Sequence, residues 1–181
     1  MTLAPAAFAV FVVMIAVNTA HPGSLGALSD NRVFTFNNKW GSSRGATWTL
    51  GLRSFQELDG LHKLTGAGPD CMADFLYSEK SPALTEAARA AFENKRLTNA
   101  HCEFLTVMVN IGIPGTLFYI GLFLTVIRKM FASKNGNTFA CGLGVLAYML
   151  NNLWSFQQSM GVAAVFAVMG LGMYFVRFQN S

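Results

Sequence analysis

Four long apolar segments constrain the fold of this chain more than any other feature of its sequence. They are Leu3–Val17, Phe104–Ile127, Phe139–Trp154 and Met160–Val176. As helices, the second would be about 36 Å long and the last two about 24 Å each, against about 30 Å for a bilayer core. The shorter segments therefore need tilt, extension at their ends or partial insertion. Only 12% of the residues are charged, which is about half the proportion in soluble domains. The sequence predicts an all-α, multi-pass membrane protein built as a helical bundle.

The order of these segments predicts five regions: a transmembrane helix at 1–18, an external loop at 19–100, a transmembrane helix at 101–128, a cytoplasmic loop at 129–137 and a transmembrane pair at 138–178. The short loop carries Arg128, Lys129 and Lys134 without an acid, and basic short loops face the cytoplasm. The first segment lacks the basic start of a signal peptide, so we interpret it as an internal helix of a longer protein.

The large external loop is expected to be helical. Trp48, Leu52 and Phe55 recur at helical spacing within 46–58, which predicts a helix packed through that stripe. The Thr65–Asp70 stretch reads as a turn, with Asp70 placed to cap a short helix that ends near Leu76. Ser81 followed by Pro82 predicts the start of another helix, and the pattern continues to about Lys95.

His101 is the first candidate functional residue, because it opens the second apolar segment at the expected outer surface. A helix N-terminus favours anions and lowers the pKa of a nearby histidine, so that the neutral imidazole can act as a base. The alternative is an interfacial polar residue without a function. No metal is expected here, since His101, Cys102 and Glu103 are consecutive and point in different directions, unlike ligands at i and i+4.

Arg44 is the second candidate, because it lies among glycines that allow a ligand to approach closely. Its guanidinium group suits phosphate oxygens, although a solvated loop arginine is the simpler reading on composition alone. Two polar or irregular clusters are interpreted as structural. The Asn151, Asn152, Gln157 and Gln158 side chains are expected to hydrogen-bond between helices, and Gly112, Pro114 and Gly115 to kink one.

The three cysteines do not define a disulfide framework. Cys141 falls within an apolar segment, while Cys71 and Cys102 are expected on the oxidising side. A bridge between them would stabilise the loop, but nothing in their spacing requires one. The net charge of +4 is not arranged as a basic stripe with aromatic residues, so no nucleic acid partner is expected.

Three stretches resemble the C-terminal part of the O-antigen ligase and polymerase superfamily. Gly41-Ser-Ser-Arg44-Gly-Ala-Thr-Trp48 and the later Gly66-Ala-Gly68-Pro-Asp70 are similar to motifs of its large external loop. His101-Cys-Glu followed by Gly112-Ile-Pro-Gly115 resembles its His-[Asn/Ser/Gln]-x9-Gly-x-x-Gly signature, and Phe166-x-x-Met-Gly170 resembles its closing helices. Cys102 departs from the pattern, which usually has Asn, Ser or Gln there.

The resemblance implies a GT-C-like glycosyltransferase of the bacterial cytoplasmic (inner) membrane, needing neither metal nor cofactor. Its donor would be a glycan on a polyprenyl diphosphate lipid, and its acceptor a glycan or lipid-linked glycan. By this resemblance Arg44 would bind the diphosphate and His101 would be the catalytic base. A non-enzymatic membrane protein, such as a transporter or a glycan-assembly subunit, is the alternative. Ion-coupled transport is disfavoured because the apolar segments carry no ionisable side chain at mid-membrane depth.

Overall fold

The computed structural model describes residues 3–93, 95–156 and 159–178, and within these ranges every regular element is helical. The all-α prediction is therefore confirmed for the described part of the chain. Its helices are α1 (Leu3–Ala20), α2 (Trp40–Glu57), α3 (Gly60–Thr65), α4 (Met72–Leu76), α5 (Pro82–Phe92), α6 (Glu103–Ala132), α7 (Gly136–Asn151) and α8 (Ser159–Phe178), with a short 3-10 helix at Gly26–Leu28.

Two of the helices, α6 and α8, are long and apolar enough to cross a membrane. The apolar part of α1 is shorter, at Ala6–Ala20. With 16 residues, α7 would extend about 24 Å, less than the thickness of a bilayer core. Two of the four expected transmembrane segments therefore have the required length, and the other two would need a locally thinner bilayer or partial insertion.

The second half of α6 packs with α7 and α8 into a three-helix unit. Its buried residues are all apolar: Phe123, Val126, Ile127, Met130, Val145, Met149, Val165 and Met169. Gly142 brings α7 close to α6, since a Cβ there would lie 2.8 Å from the Phe131 ring. Such small residues let helices approach closely where water cannot drive their association.

The α6 helix is broken at Gly112, which has a φ of 71° and a ψ of −175°. Pro114 follows inside the helix and has no N–H to give to the carbonyl of Asn110. The expected kink is thus present, and it divides α6 into a first part ending at Ile111 and a longer second part. Because Leu105 and Val109 of the first part pack in one cluster with Phe55 of α2 and Met72 of α4, the first part belongs to the same packed unit as the loop helices.

The predicted turn at Thr65–Asp70 closes over this break. The break leaves the carbonyl of Val109 without its helical partner at residue 113, and Pro114 has no N–H for the carbonyl of Asn110. Here Ala67 N–H donates to the Val109 carbonyl at 2.8 Å, and Gly68 N–H donates to the Asn110 carbonyl at 3.0 Å. The turn therefore caps the first part of α6, and the loop is fixed to the helix that follows it.

The loop helices form, but α2 buries a different face from the predicted one. Leu52 is 45% exposed, whereas the buried side is made of Gly45, Ala46, Thr47, Leu50, Gly51 and Ser54. A Cβ at Gly51 would lie only 2.8 Å from that of Ala100. Close backbone contact thus decides the buried face. Of the predicted stripe, Phe55 packs against a buried cluster and Trp48 is half-buried, whereas the prediction was wrong for Leu52.

The role predicted for Asp70 is also wrong, because Cys71 is the N-cap residue of α4. The Met72 N–H instead donates to Asn110 Oδ1 at 2.8 Å. A side chain of α6 therefore accepts the hydrogen bond of the first N–H group of α4. The start of α5 is as predicted, with Ser81 at the N-cap and Pro82 in the first turn. It ends at Phe92, earlier than expected, where Glu93 adopts a left-handed conformation.

Candidate functional site

Arg44 follows a left-handed turn of three residues. Gly41, Ser42 and Ser43 have φ values of 57°, 60° and 69°, a conformation that costs a non-glycine residue about 1–2 kcal/mol. After this turn the Arg44 Nε–H donates to the Trp154 carbonyl at 2.8 Å, and its Nη1–H donates to the Gly41 carbonyl at 2.8 Å. The guanidinium group is therefore held against the segment that follows α7.

His101 lies just before α6, whose N-cap is Cys102. Its φ of 48° is also left-handed. The backbone is held on both sides, since its N–H donates to Asn99 Oδ1 at 3.0 Å and its carbonyl accepts from Trp48 Nε1–H at 3.3 Å. The imidazole packs edge-to-face on Phe156, with ring centroids 5.4 Å apart. Trp48 of α2 and Phe156 thus position the histidine from two sides.

The structure brings Arg44 and His101 into one electrostatic environment. Burial lowers the pKa of His101 below its usual 6.5, and the positive charge of Arg44 lowers the same pKa further. The expected direction of the shift is present. The causes found are burial and Arg44, and the predicted contribution of the helix N-terminus stays a prediction. A neutral imidazole near neutral pH is suited to accepting a proton.

An apolar cavity of about 670 Å³ opens beside this pair. One wall is α1, and the other holds a cluster of aromatic side chains. Trp48 and Trp154, which contact His101 and Arg44 through hydrogen bonds, both line it. Further lining residues are Phe8, Phe11, Val12, Ile15, Phe36 and Trp40. A site of this kind can hold a long apolar chain with its polar end at Arg44 and His101.

Several other candidates have structural explanations. Asn152 is buried; its Nδ2–H donates to the Tyr119 hydroxyl at 3.4 Å and its carbonyl accepts from the Glu103 N–H at 2.9 Å. It therefore connects α7 to α6 as expected, whereas Gln157 and Gln158 lie outside the described residues.

Cys71 and Cys102 are free thiols, and burial raises the pKa of the Cys102 thiol.

The described residues contain no group of three or more His, Cys, Asp or Glu side chains that would hold a metal ion. The residues that sequence reasoning missed are aromatic: Trp48 was assigned to a packing stripe, and no role was given to Trp154 or Phe156. Trp48 lies four residues after Arg44 in sequence, but no sequence signal connects Trp154 or Phe156 to either candidate residue.

Together these features define a helical protein with two helices able to cross a membrane. Beside its apolar cavity lie an arginine and a histidine that share one electrostatic environment. In comparisons with known proteins, no family model, curated protein or solved structure matches this chain.

Proposed function

We propose that this chain belongs to a membrane glycosyltransferase similar to the O-antigen ligases and polymerases. It would transfer a glycan from a polyprenyl diphosphate lipid to a sugar hydroxyl, on the outer side of the bacterial cytoplasmic membrane. The observation that supports the proposal is that Arg44 and His101 are hydrogen-bonded to Trp154 and Trp48, two residues that line the apolar cavity. A lipid-linked diphosphate has the two parts that such a site accommodates, an apolar chain and an anionic head.

The chemistry assigns a different step to each residue. Neutral His101 accepts the proton of the acceptor hydroxyl while its oxygen forms a bond to the anomeric carbon of the glycan. The bond from that carbon to the diphosphate oxygen breaks, and the electron pair leaves with the diphosphate on its lipid. Arg44 stabilises the negative charge that develops on this leaving group. The proton gained by His101 is then released to solvent.

A non-enzymatic role for the same residues is supported by one observation. Arg44 donates hydrogen bonds to two backbone carbonyls, of Trp154 and Gly41, which is what an arginine with a purely structural role would do. In that case the chain would be part of a transporter or a glycan-assembly subunit. The apolar cavity lined by Trp48 and Trp154 favours the enzyme, because a lipid-linked donor requires an apolar surface beside these residues.

The deciding experiment is glycan transfer in vitro by the full-length protein, using a polyprenyl diphosphate glycan as donor. Transfer that requires His101 supports the enzyme. A protein that inserts normally and transfers no glycan under any acceptor condition, or that transfers fully without His101, contradicts it.

A further inference from the structure

A second cavity, of about 680 Å³, adjoins His101 and is polar. Its lining includes Asp70, Asn99, Glu103, Thr106, Asn110 and Phe156. Asn99 accepts a hydrogen bond from the His101 N–H, and the Phe156 ring packs against the imidazole. The cavity is therefore next to the proposed base, and its volume is that of a small-molecule site.

The charges of this cavity are opposite to those around Arg44. Asp70 and Glu103 contribute two carboxylates, and none of the described residues that line the cavity is a lysine or an arginine. Glu103 is only 5% exposed, so water and salt screen its surroundings less than they screen a surface charge. A diphosphate would be repelled here and attracted at Arg44, so the ligand of the polar cavity is uncharged or cationic.

The lining groups match a ligand with many hydroxyls. Carboxylate oxygens accept strong, charge-assisted hydrogen bonds from O–H donors. Side-chain amides and hydroxyls such as those of Asn99 and Thr106 can both donate and accept. Phe156 adds an aromatic surface for the apolar face of a sugar ring. This combination suits a sugar better than a purely apolar or an anionic molecule.

Asp70 is held in place by the fold rather than by its neighbours in sequence. It has a left-handed φ of 57° and ends the turn that caps the break in α6 through Ala67 and Gly68. Since it is not the cap of α4, its carboxylate has no role in starting that helix. The break at Gly112 therefore places this carboxylate at the cavity.

We propose that the polar cavity binds the acceptor sugar, and that Asp70 and Glu103 select acceptors without negative charge near the attacked hydroxyl. This inference rests on the proposed function and specifies the class of its acceptor. His101 would then lie between a lipid-linked donor on the Arg44 side and a neutral sugar on the carboxylate side.

The test measures binding separately from transfer. Saturation-transfer NMR on the detergent-solubilised full-length protein would compare the methyl glycosides of glucose, galactose and N-acetylglucosamine with the methyl glycosides of glucuronic acid and galacturonic acid, which each carry a carboxylate. We expect at least one neutral glycoside to bind, with its uronate roughly fivefold weaker or worse because of repulsion by the carboxylates. In Asp70→Asn the neutral sugar should bind more weakly and the difference between the two should fall. Asparagine tolerates the left-handed backbone at this position, so this variant is expected to fold.

Glu103→Gln should act in the same direction, and Glu79→Gln is the matched control because Glu79 is exposed and lines a different cavity. Equal binding of neutral and uronate glycosides, a selectivity that Asp70→Asn leaves unchanged, or no binding of any of the five sugars would overturn the proposal. Binding with the expected selectivity but no transfer from the lipid-linked donor would contradict the glycosyltransferase and leave the sugar site standing.

Discussion

The Nε–H of Arg44 donates a hydrogen bond of 2.8 Å to the carbonyl oxygen of Trp154, although 110 residues separate the two in sequence. This bond joins the start of α2 to the segment after α7. On one side of it Trp48 binds the His101 carbonyl, and on the other Phe156 packs on the His101 ring. The two candidate residues are therefore positioned by the same contact between the loop and the last helices.

Replacing His101 with alanine should reduce glycan transfer by about 10²–10⁴-fold, the usual cost of losing a general base. Insertion into the membrane should be unaffected, since the side chain is only partly buried. Transfer would be read on a gel from a polyprenyl diphosphate glycan with expression-matched protein. His21→Ala is the control, because His21 is exposed and belongs to neither cavity. Full activity in His101→Ala would assign the histidine a structural role.

Replacing Arg44 with lysine should also impair transfer, although the charge is kept. An ammonium group cannot reproduce the planar fork that contacts phosphate oxygens, nor donate in the same geometry to the Trp154 and Gly41 carbonyls. The initial rate should fall at saturating donor, and the KM for the donor should rise. Arg53→Lys on the exposed side of α2 should behave as wild type. An Arg44→Lys enzyme with unchanged rate and KM would argue against diphosphate binding.

The pH dependence of transfer should show an acidic limb below pH 6.5, because burial and Arg44 both lower the pKa of His101. Activity is lost there as the imidazole becomes protonated. In Arg44→Gln the repulsion of the imidazolium is removed, so the pKa should rise and the limb should move to higher pH. The measurement is kcat/KM against pH for both proteins. A limb that stays in place or moves to lower pH would contradict the electrostatic coupling of the two residues.

Gly112→Ala should destabilise the protein by roughly 2 kcal/mol or more. The φ of 71° and ψ of −175° at this position define a conformation that is essentially restricted to glycine and costs other residues about 1–3 kcal/mol, and the added Cβ would collide with the carbonyl of Leu64. Gly121→Ala is the matched control in the same helix, because a Cβ there meets nothing within 4 Å. Thermal unfolding in detergent should show a lower midpoint for the first variant alone. Equal midpoints would mean that the break in α6 is not required for stability.

Thiol labelling of intact cells should report the proposed orientation. An impermeant reagent should label Cys71, which is partly exposed, while Cys102 should react slowly because it is buried and its pKa is raised. A cysteine placed at Ser133, between α6 and α7, should be labelled only after permeabilisation if the Arg128–Lys134 loop is cytoplasmic. Labelling of Ser133→Cys in intact cells, with Cys71 protected beforehand, would reverse the topology.

Features that depend on near neighbours were readable from the sequence. The helical content, the beginning of α5 at Ser81 and Pro82, and the kink at Gly112 and Pro114 all follow from side-chain patterning and backbone sterics within a few residues. His101 was singled out because it opens an apolar segment, and Arg44 because glycines lie on both sides of it. Their roles in catalysis and in diphosphate binding remain predictions.

The tertiary structure decided which of these residues meet and which faces are buried. The buried side of α2 depends on the close approach of Gly51 to Ala100. The position of Asp70 depends on carbonyls freed by the break in α6 at Gly112, 42 residues later in the sequence. The shared surroundings of Arg44 and His101 depend on the bond to Trp154. Local rules cannot specify such contacts, because each forms only when many small packing terms over the whole chain favour one arrangement.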